Sequence, residues 1–174
     1  VFFSQSLSSH KKRLSHINWN DRYDKLTTCD EEGVIVVWKF IEREDGEERN
    51  QWETEMINNR EISNVTDIRW SPMGNFLCFI YEDGHAIVGT VDGSRNWGND
   101  ITSGKLLRLE WSPDESFILF YILNSNIIIF SVNGYQIGEM EIPLHLLQLK
   151  VAEITWWTNS LIENKTIVDN KHLA

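Results

Sequence analysis

The sequence predicts an all-β fold made of repeated units of four short strands. Three observations predict it. First, four similar segments recur: LSHINWN (14–20), VTDIRWSPMG (65–74), LLRLEWSPDE (106–115) and VAEITWWTN (151–159). Their anchors Trp19, Trp70, Trp111 and Trp156 stand 51, 41 and 45 residues apart. Second, the units share an internal phase. Fourteen residues after the anchor come Gly33, Gly84 and Ser125, and nineteen after it come Trp38, Gly89 and Phe130. Third, no segment longer than a few residues carries a convincing helical period. A period of about 40–45 residues is that of a four-stranded propeller blade. The chain is therefore expected to hold about three blades of a β-propeller and the start of a fourth, a partial ring. It reads as one domain over 1–174, with blade units near 14–57, 65–101, 105–141 and 149–174.

Taken in order, the first unit carries its inner turn in EEG, inside DKLTTCDEEGVIVVW (24–38). The charged stretch EREDGEERN (42–50) then lengthens the unit and accounts for its wider spacing. It is read as a solvated loop; its functional reading is a contact for a basic partner surface. In the second unit, strands are expected near 65–70, 76–81, 85–91 and 96–101, joined by SPMG, EDG and VDG. In the third they fall near 105–111, 116–122, 126–132 and 135–141, joined by SPDE, NSN and VNG. These runs are rich in Ile, Val, Phe, Trp, Tyr and Leu, which suit a pleated, half-buried surface. Two Asp-Gly pairs, Asp83-Gly84 and Asp92-Gly93, mark hairpin turns within one blade. Pro72 and Pro113 each follow the anchor tryptophan by two residues, where a strand has ended and no ladder bond is lost. HLLQLKVA (145–152) could be argued as helix, but the repeat register claims it; the closing KHLA reads as the start of the next second strand.

Composition narrows the function classes. The 174 residues are 41% hydrophobic and 24% charged, as a globular domain with a sizeable core should be. A net charge of −10 argues against nucleic acid, because phosphate binding rests on clustered Lys and Arg. The basic cluster HKKR (10–13) reads as a solvated edge. FILFYIL (117–123) and NIIIF are far too short to span a bilayer as a helix, so no direct membrane insertion is expected. Cys29 and Cys78 sit in apolar strand contexts and read as buried free thiols in a reducing compartment. Two sequons, at Asn64 and Asn164, receive no weight, because VFFSQSLSSHKKR lacks a signal-peptide pattern.

No catalytic, cofactor-binding or metal-binding residue is assigned. His10, His16, His85, His145 and His172 offer no pair at metal-ligand spacing. His85 follows an Asp-Gly turn and is expected to face solvent or a neighbouring blade. Ser71 and Ser112 precede proline at turns and read as turn residues rather than nucleophiles. GTVDGSRNWG lacks the strand-to-helix context of a phosphate-binding loop.

The tryptophan spacing and paired turns resemble the WD-repeat family of β-propellers. The family pattern sets a hydroxyl, an acid of the inner turn and a third-strand tryptophan in hydrogen-bonded relation. The first unit offers Thr28, Glu32 and Trp38; the second, Phe79, Asp83 and Gly89; the third, Phe120, Asn124 and Phe130. The network is thus expected to be mostly absent, with apolar packing between neighbouring blades in its place. YEDGHAIVGTVDGSRNWG (81–98), EMINNR (55–60) and DKLTTCDEEGVIVVW (24–38) give a closer resemblance, over roughly residues 14–157. They resemble the N-terminal propeller shared by the WD-repeat subunit of intraflagellar transport complex A and the WD-repeat tubby-like protein. QWETEMINNR tilts the match toward the transport subunit, and that family also replaces the second tryptophan by glycine. The insertion at 42–50 and NSLIENKTIVDN (159–170) depart from it.

The resemblance implies a non-catalytic scaffold. Its partners would be other complex A subunits and membrane-protein cargo, and its place the cilium, axoneme, ciliary base and cytoplasm. Its work would be retrograde ciliary transport, entry of membrane proteins into the cilium and cilium assembly. The alternatives are a tubby-like substrate adaptor for a ubiquitin ligase and a generic interaction module. Because a ring needs about four to eight blades, the chain is expected to be a piece of a longer protein.

Overall fold

The computed structural model describes residues 5–42, 51–123, 126–141, 156–158 and 171–173. Most of the 42–50 insertion, Asn124 and Ser125 of the NSN turn, HLLQLKVA and the Asn164 sequon lie outside the described residues.

Twelve strands form three four-stranded antiparallel sheets. The first holds β1 (Leu14–Asn20), β2 (Lys25–Asp30), β3 (Ile35–Ile41) and β4 (Gln51–Asn58). The second holds β5 (Val65–Trp70), β6 (Phe76–Tyr81), β7 (His85–Thr90) and β8 (Arg95–Asp100). The third holds β9 (Leu106–Trp111), β10 (Phe117–Ile122), β11 (Ile127–Ser131) and β12 (Gln136–Met140). Strands run in chain order across each sheet, as a meander of hairpins must. A further pair, β13 (Trp156–Thr158) with β14 (Lys171–Leu173), joins VAEITWWTN to KHLA. The expected strands of the second and third units match to within one residue at each end.

Alternation along the strands decides which side chains meet which blade. Cys29, Ile35 and Val37 meet Trp70, Leu77, Phe79, Tyr81 and Ile87 between the first and second sheets. Cys78, Ile80, Ala86 and Val88 point the other way, onto Leu109, Trp111, Ile118, Phe120 and Phe130 of the third. The second strands of the later two sheets are buried on both faces, so FLCFIY and FILFYI read as continuous apolar runs. Trp19 differs from the other anchors. It is 46% exposed, against 9% for Trp70 and 2% for Trp111. No sheet covers its face among the described residues, and it rests edge-on against Trp52 at 6.0 Å.

The turns repeat between blades. In SPMG, Ser71 Oγ accepts from Phe76 N at 3.0 Å, and Gly74 N donates to Ser71 O at 2.8 Å. In SPDE, Ser112 Oγ accepts from Phe117 N at 2.9 Å, and Glu115 N donates to Ser112 O at 2.9 Å. The fourth residue is left-handed in both, with φ of 74° at Gly74 and 58° at Glu115. Glycine takes that conformation freely. Glu115 is held there by its carboxylate, which accepts from Met73 N at 2.6 Å and from Asn75 Nδ2 at 2.8 Å across the blade boundary.

Polar bonds of this kind correct the expectation that apolar packing alone joins the blades. Between the first two sheets, Trp70 Nε1 donates to Thr27 Oγ1 at 2.9 Å, and Asn18 Oδ1 accepts from Trp70 N at 3.0 Å. Between the next two, Asp67 Oδ2 accepts from Leu109 N at 3.1 Å, and Trp111 Nε1 donates to Arg69 O at 3.2 Å. The indoles of Trp70 and Trp111 are buried donors that must find acceptors. Each finds one on the preceding blade, so blade spacing is set by hydrogen-bond length as well as by packing.

Candidate interaction surface

The third-strand position nineteen residues after each anchor differs most between blades. Trp38 pairs with Leu26, Gly89 with Leu77 and Phe130 with Ile118, so the three residues are equivalent in register. Each blade solves the same site differently.

In the first blade a buried polar relay fills it. Trp38 Nε1 donates to Thr28 Oγ1 at 2.8 Å, Thr28 Oγ1 lies 2.7 Å from His10 Nε2, and His10 Nδ1 lies 3.0 Å from Asp30 Oδ2. An indole N–H can only donate. The ionised Asp30 carboxylate can only accept, which directs the imidazole Nδ1–H to it and leaves Nε2 of the neutral ring to accept the hydroxyl proton. Asp30 Oδ1 also accepts from Glu32 N at 3.0 Å and Val34 N at 3.1 Å, which closes the DEEG turn. Burial pushes the Asp30 carboxyl up, but the His10 bond and the Val34 and Glu32 N–H groups outweigh it and hold it below its ordinary value.

Two expectations are corrected here. The acid of the network is Asp30, not Glu32; Glu32 is exposed and pairs with Lys12 at 3.3 Å. Asp30 wins because it ends β2 on the same face as Thr28, two residues away, while Glu32 stands at the turn tip. His10 is also no part of a solvated edge. Its side chain is 8% exposed, whereas Lys11, Lys12 and Arg13 beside it face solvent.

In the third blade an aromatic cluster fills the site. Phe130 stacks on Trp97 at 6.1 Å and meets Phe120 edge-on at 5.6 Å. Trp97 comes from the outer strand of the second blade and donates through Nε1 to Val132 O at 2.8 Å.

In the second blade nothing among the described residues fills it. Phe79 and Tyr81 stand where the first blade has Thr28 and Asp30, and Gly89 stands for Trp38. A cavity of about 290 Å³ opens between the first two blades at this point. Its apolar wall includes Val37, Met56, Trp70, Leu77, Phe79 and Ile87, and its rim carries Glu55, Asn58, Arg60, His85 and Arg95. Most rim charges are engaged. Arg60 Nη1 bonds Asp83 at 2.7 and 2.9 Å, His85 Nδ1 lies 2.6 Å from Asp100 Oδ1, and Glu55 pairs with Lys25. The bond to His85 lowers the Asp100 carboxyl below its ordinary value. Tyr81 is wholly buried beside this wall, with Arg60 5.0 Å above its ring. Among the described residues, its hydroxyl is the only buried side-chain polar atom without a hydrogen-bond partner. Burial, partly countered by Arg60, pushes it up to about 12.

The remaining candidates behave as parts of the scaffold. Cys29 and Cys78 are free and buried; burial pushes Cys29 up to about 11 and Cys78 well above its ordinary value. His16 Nε2 meets Thr66 O at 3.1 Å across the first blade boundary. His145 and the His172 side chain lie outside the described residues. Among the described residues, no three His, Cys, Asp or Glu side chains are placed to share a metal ion, and no helix is long and apolar enough to cross a membrane. His10, Asp30 and Arg95 escape sequence reasoning. A histidine just before a first strand, and an acid two residues after a buried threonine, were the available signals for the first two.

Comparison with known proteins follows the same lines. A family model described as WDR35/TULP4 N-terminal, a β-propeller, matches residues 1–173. WD repeat-containing protein 35 of Rattus norvegicus and of Homo sapiens are each 38% identical over 157 residues, 88% of this chain and 13% of theirs. Tubby-related protein 4 of Homo sapiens is 31% identical over 136 residues, 78% of this chain and 8% of its own. The chain thus spans a small fraction of the relatives it matches. Among solved structures, the C-terminal WD40 domain of Sif2 superposes with a TM-score of 0.62 at 15% identity, over 76% of this chain and 38% of that one. That likeness concerns the fold alone.

Proposed function

The chain belongs to the WDR35/TULP4 N-terminal β-propeller family, and from that premise we propose that it serves as a non-catalytic interaction propeller of an intraflagellar transport complex A subunit. On this reading residues 1–174 form one partial propeller domain within a longer protein. Its partners are the other complex A subunits and membrane-protein cargo, at the cilium and its base. Its work is retrograde transport, ciliary entry of membrane proteins and cilium assembly.

The observation that carries the choice is the balance of similarity. Identity to WD repeat-containing protein 35 is 38% across 88% of the chain, against 31% across 78% for Tubby-related protein 4. The architecture supports a scaffold: blade boundaries are consumed by structural hydrogen bonds, and the histidines and serines described above are engaged in turns and interblade bonds.

The test is to purify the intact parent protein from ciliated cells and identify what accompanies it. Complex A subunits are expected. Recovery of ubiquitin-ligase components in their place would overturn the reading in favour of the tubby-like adaptor.

A further inference from the structure

We propose that the cleft at Gly89 seats an aromatic side chain from a partner polypeptide, with an acidic residue beside it held by Arg95. The inference rests on reading the chain as an interaction propeller, and it assigns that propeller a definite contact.

The first argument is internal equivalence. One register position recurs three times, beside the His10 relay at Trp38 and at a blade boundary at Gly89 and Phe130. Trp38 and Phe130 fill it with a ring; Gly89 leaves it empty, and about 290 Å³ remains open there. An apolar cavity of about 150 Å³ already admits benzene, so this one takes a bicyclic ring. Its wall suits one: Trp70 and Phe79 supply aromatic surface, and Leu77 and Ile87 aliphatic surface.

The second argument is charge. Arg95 is exposed, lies at the rim and pairs in register with Gly89 itself. Its guanidinium folds back over Gly98, where any side chain would collide with it. Among the described residues it makes no hydrogen bond or ion pair, unlike Arg60, His85 and Glu55 around the same rim. A guanidinium positioned beside an apolar seat selects a carboxylate flanking the ring. A buried aromatic anchor with a polar rim is the usual form of an interface hot spot.

The third argument is access. Gly93, Ser94 and Arg95 of the second blade and Asn59 of the first are exposed at the rim, so the cleft opens between the outer edges of two blades. A polypeptide segment can pass there and insert one side chain.

The test uses an acetylated, amidated pentapeptide with tryptophan flanked by aspartates, titrated against the full chain. Saturable binding is expected. Replacing its tryptophan by alanine should weaken binding at least about thirtyfold, as for a hot-spot truncation. Gly89→Trp should abolish binding by filling the seat from within; its Cβ would stand 3.3 Å from Ser94 O, which a small shift relieves. Arg95→Gln should weaken binding roughly two- to fivefold, the worth of an exposed ion pair. Arg95→Glu, an exposed change that leaves the core untouched, should reverse the preference toward a peptide with lysines in place of the aspartates. Equal binding of the alanine peptide, no saturation at millimolar concentration, or no effect of either Arg95 variant would overturn the proposal. So would binding of free indole-3-propionate without binding of the peptide. Such a failure, with the parent protein still recovering its complex, would sink the cleft and leave the interaction-propeller reading standing.

Discussion

Thr28→Val isolates the relay of the first blade, because valine keeps the shape and removes only the hydroxyl. The hydroxyl serves two buried partners, Trp38 Nε1 at 2.8 Å and His10 Nε2 at 2.7 Å. Trp38 is 4% exposed and the His10 side chain 8%, so water replaces neither bond well. A buried polar group left unsatisfied costs about 1–3 kcal/mol. Two such groups cost roughly 2–6 kcal/mol, offset by about 0.8 kcal/mol for the extra buried methyl. The net expectation is a loss of about 1–5 kcal/mol. Thr28→Ser keeps the hydroxyl and should lose only about 1 kcal/mol for its methyl. Urea unfolding followed by tryptophan fluorescence measures both. On a Trp38→Phe background the indole donor is already gone, so the valine penalty should shrink by about 1 kcal/mol or more. Equal stabilities for the valine and serine variants would refute the reasoning, as would a valine penalty indifferent to Trp38.

Three further outcomes are expected. Gly84 has φ of 90°, and a Cβ there would fall inside contact distance of the Thr102 carbonyl, so Gly84→Ala should cost about 2–3 kcal/mol in the same unfolding assay. Asp30 is lowered in the folded state from an ordinary value of 3.8; its contribution is present above that pH and is lost as pH falls through the folded value, so Asp30→Asn should flatten the acid limb of stability against pH. Cys29 and Cys78 are buried with their thiols pushed upward, so the native chain should resist a thiol reagent at pH 8 and react at both sites only when unfolded; fast labelling of the native chain would contradict the burial.

The sequence by itself determined the strands, the turns and the repeat. Strand alternation and turn chemistry are local, so FLCFIY, EDG and HAIVGT declare themselves without neighbours. The likeness to the WD-repeat pattern set Thr28 and Trp38 in one relation but named Glu32 as the acid; the choice of Asp30 depends on which acid His10 reaches, across a separation of 20 residues, and local pattern could not show that. Nor could it show what the missing tryptophan at Gly89 means. The equivalent positions are filled from their own strand by Trp38 and, with help from Trp97 of the preceding blade, by Phe130. Whether a vacancy closes or stays open is decided by the blade packed against it. Here Val37 and Met56 of the first blade stop short, and the absence read from the sequence becomes a cleft.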